Sequence, residues 1–346
     1  MQLYNKIDKN VLREQVEQDP RSRSTISFYQ YAHIANPQLF RDHLYILLDE
    51  IEVLGRIYVS SEGINAQISI PEENTAQLTS ALNTITFLTD IRLNKAIEDD
   101  GKSFYKLVIK LRHKIVADGL DDETFDVTNK GVHLSAQAFN DLTNQEDTVI
   151  VDMRNHYESE VGHFKGAITP DVETFRESLP IISDMLEEHK DKNIVMYCTG
   201  GIRCEKASAY LKHKGYENVH QLEGGIIEYT RQAKLQGLEN KFIGKNFVFD
   251  DRLGERITED IISKCHQCGA PSDDHTNCAN DACHILFIQC PSCAQKMEHT
   301  CSDKCQEFNR QPVEEREALK GKMTFNGTKF GKGRYKAYRQ KEGWEK

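Results

Sequence analysis

The chain has 346 residues, a hydrophobic share of 38% and a formal net charge of −10. That length exceeds what one core organises and predicts two or three domains. No run approaches the roughly 18 apolar residues of a membrane span, and Met1 to Glu14 is polar without an apolar core, so neither a membrane anchor nor a secretory leader is expected. Most of the ten cysteines fall in metal-type spacings, which predicts a reducing, cytoplasmic setting rather than a disulfide framework.

Residues 1–120 read as an α+β unit. Thr25 to Tyr31 has strand composition, and Asn36-Pro37 is a helix start, with Asn as cap and Pro at the first helical position. Phe40, Leu44, Leu47, Leu48, Ile51 and Leu54 then share a helical face. Arg56 to Ser60 and Ile64 to Ile70 read as two strands joined at Glu62-Gly63. Ile64, Ala66, Ile68 and Ile70 alternate with polar residues, as in a half-buried strand. A second helix is predicted over Glu72 to Thr84 and a last strand over Tyr105 to Leu111. The order β-α-β-β-α-β fits a ferredoxin-like, acylphosphatase-like domain.

Residues 112–135 form a connection rich in Asp, Gly and Lys. An α/β unit follows, placed at 121–238. Strands are expected at Thr148 to Asp152, Ile194 to Tyr197 and Val219 to Leu222, with a helix from Glu205 to Lys214 closed by Gly215. That alternation predicts a mainly parallel sheet covered by helices. Between the second of these strands and the helix lies Cys198-Thr199-Gly200-Gly201-Ile202-Arg203. A cysteine beyond the carboxyl end of a strand, then a Gly-rich turn, then a helix start, makes a cradle for an anionic sulfur. The helix N-terminus and Arg203 lower the thiol pKa, so Cys198 is the candidate catalytic residue, with Thr199, Gly200, Gly201, Ile202 and Arg203 as its cradle. The Cys-x4-Arg spacing is one residue shorter than the phosphate-wrapping loop of cysteine phosphatases and suits a smaller anion. Cys204 is either a resolving thiol for an oxidised Cys198 or a small buried residue in the first helical turn. Asp152, Arg154 and Glu158 read as ion pairs supporting the loop, and His163 is a candidate acid–base group. Gly224-Gly225 lacks a Gly-x-Gly-x-x-Gly context, so no flavin or nicotinamide motif is seen.

Residues 239–310 hold eight cysteines in four pairs: Cys265/Cys268, Cys278/Cys283, Cys290/Cys293 and Cys301/Cys305. The spacing predicts two structural Zn2+ sites of four thiolates each. The pairs can be interleaved, first with third and second with fourth, or taken sequentially. His266, His284 or His299 can also stand in for a thiolate, and an iron–sulfur cluster is the alternative metal group. Residues 311–346 read as a flexible basic tail. From Lys320 onward it carries nine Lys/Arg against two acids, interleaved with Phe325, Phe330, Tyr335, Tyr338 and Trp344. Such a tail suits phosphates and unpaired bases.

Asp152-x-Arg154-x-x-x-Glu158, Gly162-His163-x-x-Gly166-Ala167, the Cys198 loop and Gly224-Gly225 together resemble the rhodanese family, in which the first loop cysteine carries a persulfide. The resemblance extends over nearly the whole chain. Thr25-Ile26-Ser27-Phe28-Tyr29, Glu62 to Gln67, Tyr197 to Lys206 and the Cys-rich end are similar to the bacterial tRNA uridine hydroxylases. It implies oxygen-dependent conversion of the wobble uridine of tRNA to 5-hydroxyuridine, with tRNA, at its anticodon region, as partner and molecular oxygen as co-substrate. Taken alone, the loop predicts a sulfurtransferase carrying a cysteine persulfide. A zinc-dependent RNA-binding module with an inert rhodanese domain is the third reading.

Overall fold

Alternation along a single strand decides which face of the first sheet is dry. The computed structural model describes residues 7–99, 101, 103–120, 125–319 and 322–325. Its first part comprises α1 (Lys9–Gln18), β1 (Arg23–Tyr31), α2 (Pro37–Asp49), β2 (Leu54–Ser60), β3 (Gly63–Pro71), α3 (Thr75–Asn83), β4 (Asn94–Lys95) and β5 (Leu107–Leu111). Ile64, Ala66, Ile68 and Ile70 are fully buried, packed with Ile26, Phe28, Leu44, Leu48 and Leu78 under the two main helices. The opposite face presents Ser27, Tyr29, Arg56, Tyr58, Asn65 and Gln67. Asn36 caps α2, its side chain accepting from the backbone N–H of Leu39, with Pro37 at the first turn.

The sheet order is β4-β1-β3-β2-β5. The expected strand at 105–111 exists as β5, but it lies at the edge beside β2, in parallel. The βαββαβ motif is closed instead by the two-residue β4, antiparallel to β1. A strand that short leaves no period-2 signal to read. The helix expected from Glu72 starts as a 3-10 turn, Glu72–Asn74, and α1 was not anticipated.

The second part holds β6 (Val132–Leu134), α4 (Ala136–Leu142), β7 (Thr148–Asp152), α5 (His156–Ser159), β8 (Gly162–Phe164), α6 (Phe175–Met185), β9 (Asn193–Tyr197), α7 (Ile202–His213), β10 (Val219–Leu222) and α8 (Gly225–Gln236). The sheet β6-β10-β9-β7 is parallel throughout, as the alternation of strands and helices predicts. Strand β6 lies inside what reads as a connection, because three residues carry too little pattern. Phe139, Phe164, Tyr197, Tyr229 and Phe242 stack edge to face or tilted beneath the sheet.

Helix α7 is buried on nearly every side, which its polar sequence does not suggest. Lys206 is 2% exposed. Its Nζ lies 2.8 Å from Glu62 and 3.7 Å from Asp118, over the ring of Tyr31. Tyr31 donates to the Ile202 carbonyl, and Tyr29 donates to Glu205 at 3.1 Å. Charges removed from water need such partners, so the polar turn of α7 locks the first sheet onto the second domain.

The third part is β11 (Phe242–Asn246), β12 (Glu255–Arg256), β13 (His275–Asn277), β14 (Leu286–Ile288), α9 (Pro291–Lys296), α10 (Asp303–Asn309) and α11 (Val313–Leu319). Strand β11 pairs antiparallel with β8, and Leu286 and Ile288 pack on Tyr157 and Val161, so this part is seated on the second. Past Gln311 the described residues form α11, and Phe325 packs on Phe308. Phe330, Tyr335, Tyr338, Trp344 and eight of the nine cations from Lys320 onward lie outside the described residues.

Candidate active site

Strand β9 ends at Tyr197 and delivers Cys198 to the head of α7. Gly201, at φ 98°, turns the chain so that its N–H donates to the Cys198 sulfur at 3.1 Å. Burial is the largest influence on this thiol and opposes its ionisation. Donation from the Cys204 thiol, the Arg203 charge and the N–H groups of Arg203 and Gly201 outweigh burial and bring the pKa down to about 6. Burial beside that sulfur pushes the Cys204 thiol well up, so Cys204 is the protonated partner.

Arg203 is itself held. Its guanidinium makes two bonds to Glu158, at 2.7 and 2.8 Å, and lies over Phe249. Glu158 also accepts from the N–H of Asn155, closing a capping box at α5. Asp152 and Arg154 form a separate pair, both fully buried, with Tyr197 donating to Asp152 at 2.7 Å. These two pairs support the strand and the loop. His163 stands apart, its Nδ1 2.9 Å from the Ser159 carbonyl, and it is not among the residues lining the cavity beside Cys198.

The loop is backed by α8. The N–H of Ile226 donates to the Cys198 carbonyl and that of Ile227 to Thr199. Gly225 has φ +67°, and a Cβ there would lie 2.5 Å from both carbonyl oxygens. Gly225→Ala is therefore expected to cost about 3 kcal/mol, and circular dichroism melting should show a midpoint several degrees lower. An unchanged midpoint would mean that the loop relaxes freely.

Cys198, Thr199, Gly200, Ile202 and Arg203 open on a cavity of about 290 Å³. Its other walls come from the polar face of the first sheet and from Val248, Phe249, Asp250 and Arg252 of the third part. Sequence reasoning assigned no role to any of these walls. The signal for two of them was present, since Asn65 and Gln67 are the polar positions of the alternating β3 strand. Phe249 and Arg252 carry no local pattern. Beside the cavity, Glu205 is 2.9 Å from His133 and 2.6 Å from Lys130. Burial pushes this carboxyl up, but those donors and charges prevail and hold it at about 2.

The eight late cysteines gather as Cys265, Cys268, Cys290 and Cys293, and as Cys278, Cys283, Cys301 and Cys305. In each group all four sulfurs lie within 4.8 Å of one another, and the pairs are interleaved. The sequential alternative is excluded. His266 is turned to Glu160 and to the Ile288 N–H, and both groups are complete in cysteine without His284 or His299. Sulfur separations of 3.6 and 3.7 Å fit one tetrahedral ion, whose thiolates at about 2.3 Å from the metal stand about 3.8 Å apart. Asn280 donates to Cys305 and the Cys301 N–H to Cys278, as outer-shell groups do around thiolates. Either group can hold a metal ion.

Three family models match in chain order. The UPF0176 acylphosphatase like domain covers residues 23–115, the rhodanese-like domain 135–232 and the rhodanase C-terminal model 243–306. The tRNA uridine(34) hydroxylase of Pectobacterium atrosepticum is 55% identical over 333 residues, 94% of this chain and 94% of that one. That of Photorhabdus laumondii is 52% identical over 336 residues, covering 96% and 95%. That of Yersinia enterocolitica is 55% identical over 317 residues, covering 91% of each. With an acylphosphatase-like sheet, a rhodanese loop and two four-cysteine groups in the same order, and identity of this extent along the chain, the protein belongs to the tRNA uridine(34) hydroxylase family.

Proposed function

We propose that this protein hydroxylates the wobble uridine of tRNA, uridine 34, at ring carbon C5, with Cys198 as nucleophile and molecular oxygen as co-substrate. The observation that carries this reading is a thiol of pKa about 6 opening on a cavity shared with the polar face of a neighbouring sheet. The Cys198 thiolate adds to C6 of the uracil ring, and the C5–C6 electron pair moves toward O4. The enolate carbon C5 then takes one oxygen atom of O2, while the O–O bond breaks and the other atom leaves as water, with two electrons and two protons drawn from an external thiol reductant. Loss of the C5 proton and expulsion of the thiolate restore the ring. The cradle from Thr199 to Arg203 holds the sulfur anionic, and Cys204 donates to it.

Residues 1–120, 121–238 and 239–310 each supply a wall of the site, and the last of these is a segment stapled by two Zn2+ ions. Zinc accounts for the sulfur spacing, whereas an iron–sulfur cluster spreads its thiolates over several irons. The basic residues of 311–346 meet the phosphates of the anticodon region. Sulfur transfer is not favoured, because the relatives matching along the whole chain bear the hydroxylase name. Mass spectrometry of nucleosides from tRNA of cells lacking the protein is the test. 5-Hydroxyuridine and nucleosides built on it should vanish and return with the wild-type gene. An unchanged profile would discard the reading, and thiocyanate formation from thiosulfate and cyanide would become the assay.

A further inference from the structure

We propose that Gln67, held in one orientation by Asn65, reads the pyrimidine edge of the target base and selects uracil over cytosine. The inference rests on the reading of the protein as a uridine 34 hydroxylase. Both side chains line the cavity that holds Cys198, on the polar face of β3. The Asn65 amide donates to the Ile115 carbonyl at 3.2 Å, and Gln67 Nε2 donates to Asn65 Oδ1 at 2.6 Å. A backbone carbonyl only accepts. It therefore fixes which end of the Asn65 amide faces it, and Asn65 Oδ1 is left to face Gln67. That in turn fixes Gln67, whose Nε2 must point to Asn65.

The polarity of the chain is thus set by the backbone, and Gln67 Oε1 has no protein partner among the described residues. What Gln67 offers the cavity is one acceptor, Oε1, and the second hydrogen of Nε2. Uracil presents N3–H beside carbonyl oxygens and satisfies both. In the same register cytosine presents an unprotonated N3, which sets a lone pair against Oε1. An unpaired or opposed polar group in a closed site is what makes hydrogen-bonded recognition selective. Burial of the opposite face of β3 in the core holds both residues in register, so the reading edge is carried by a rigid strand.

The test uses the purified full-length protein and anticodon stem-loop RNAs bearing uridine or cytidine at position 34, with affinities read by fluorescence anisotropy. The wild type should prefer the uridine RNA by about 10- to 100-fold. Gln67→Leu should reduce that ratio to within about threefold, mainly by weakening the uridine RNA. Asn65→Leu should also lower the ratio although Gln67 remains, because the amide is then free to rotate. Melting curves identify a variant that has failed to fold, and Gln67→Met then replaces Gln67→Leu. A folded Gln67 variant that keeps the full uridine preference overturns the inference, as does a wild type without preference. If the wild type also leaves tRNA nucleosides unchanged in cells, the functional reading has failed too. If it restores them, only the role of Gln67 has failed.

Discussion

Replacing Cys198 with alanine is expected to lower turnover at uridine 34 by at least about a thousandfold, with the fold intact. Cys198 is fully buried in the core of the second domain, and alanine fills most of its volume without adding a polar group. Melting should shift little, so a large loss of turnover reads chemistry and not stability. The thiol itself can be followed by alkylation with a small reagent, read on the Cys198 peptide by mass spectrometry. Its pKa of about 6 lies below the ordinary value of 9.0. The thiolate is the reactive form, so labelling should be near its plateau at pH 7 and fall as pH drops through about 6. At pH 5 roughly a tenth of the plateau rate should remain. Cys204→Ala removes a hydrogen-bond donor to the sulfur, so the midpoint should move upward. A wild-type midpoint near 9, or full turnover by Cys198→Ala, would leave the loop without the chemistry assigned to it.

Removing metal from the four-cysteine groups should have an effect of similar size on the third part of the chain. Elemental analysis of the purified protein is expected to find two zinc ions per chain, and Cys301→Ser should leave about one. A structural zinc site contributes about 10 kcal/mol or more of apparent binding free energy, which here is folding free energy. A strong chelator should therefore unfold residues 265–305 and expose them to protease. The damage should reach the cavity, because Phe249 and Arg252 enter it from the segment just ahead of Cys265. RNA affinity should fall together with the metal content. A protein without metal as purified, and unmoved by chelator, would return these cysteines to a packing role.

Local chemistry along the chain determined a good deal. Asn36-Pro37 announces α2 because a cap and a preset φ act within one turn. The β3 alternation separates a dry face from a wet one because successive side chains point to opposite sides. The Cys198 loop is legible as a thiolate cradle, and eight paired cysteines are legible as two metal sites. The tertiary structure alone decided which pairs share a site, since either pairing has acceptable spacing and only the β13–β14 hairpin brings Cys278 and Cys283 to Cys301 and Cys305. It also decided that β4 closes the βαββαβ motif and that β5 is added at the opposite edge beside β2. Above all it decided the walls of the cavity. Tyr29 meets Glu205 across 176 positions and Lys206 meets Glu62 across 144. Periodicity reports which way a side chain points, but not what it will face. That depends on how separately folded surfaces fit together, and here the polar turn of α7 fits the first sheet to the thiol.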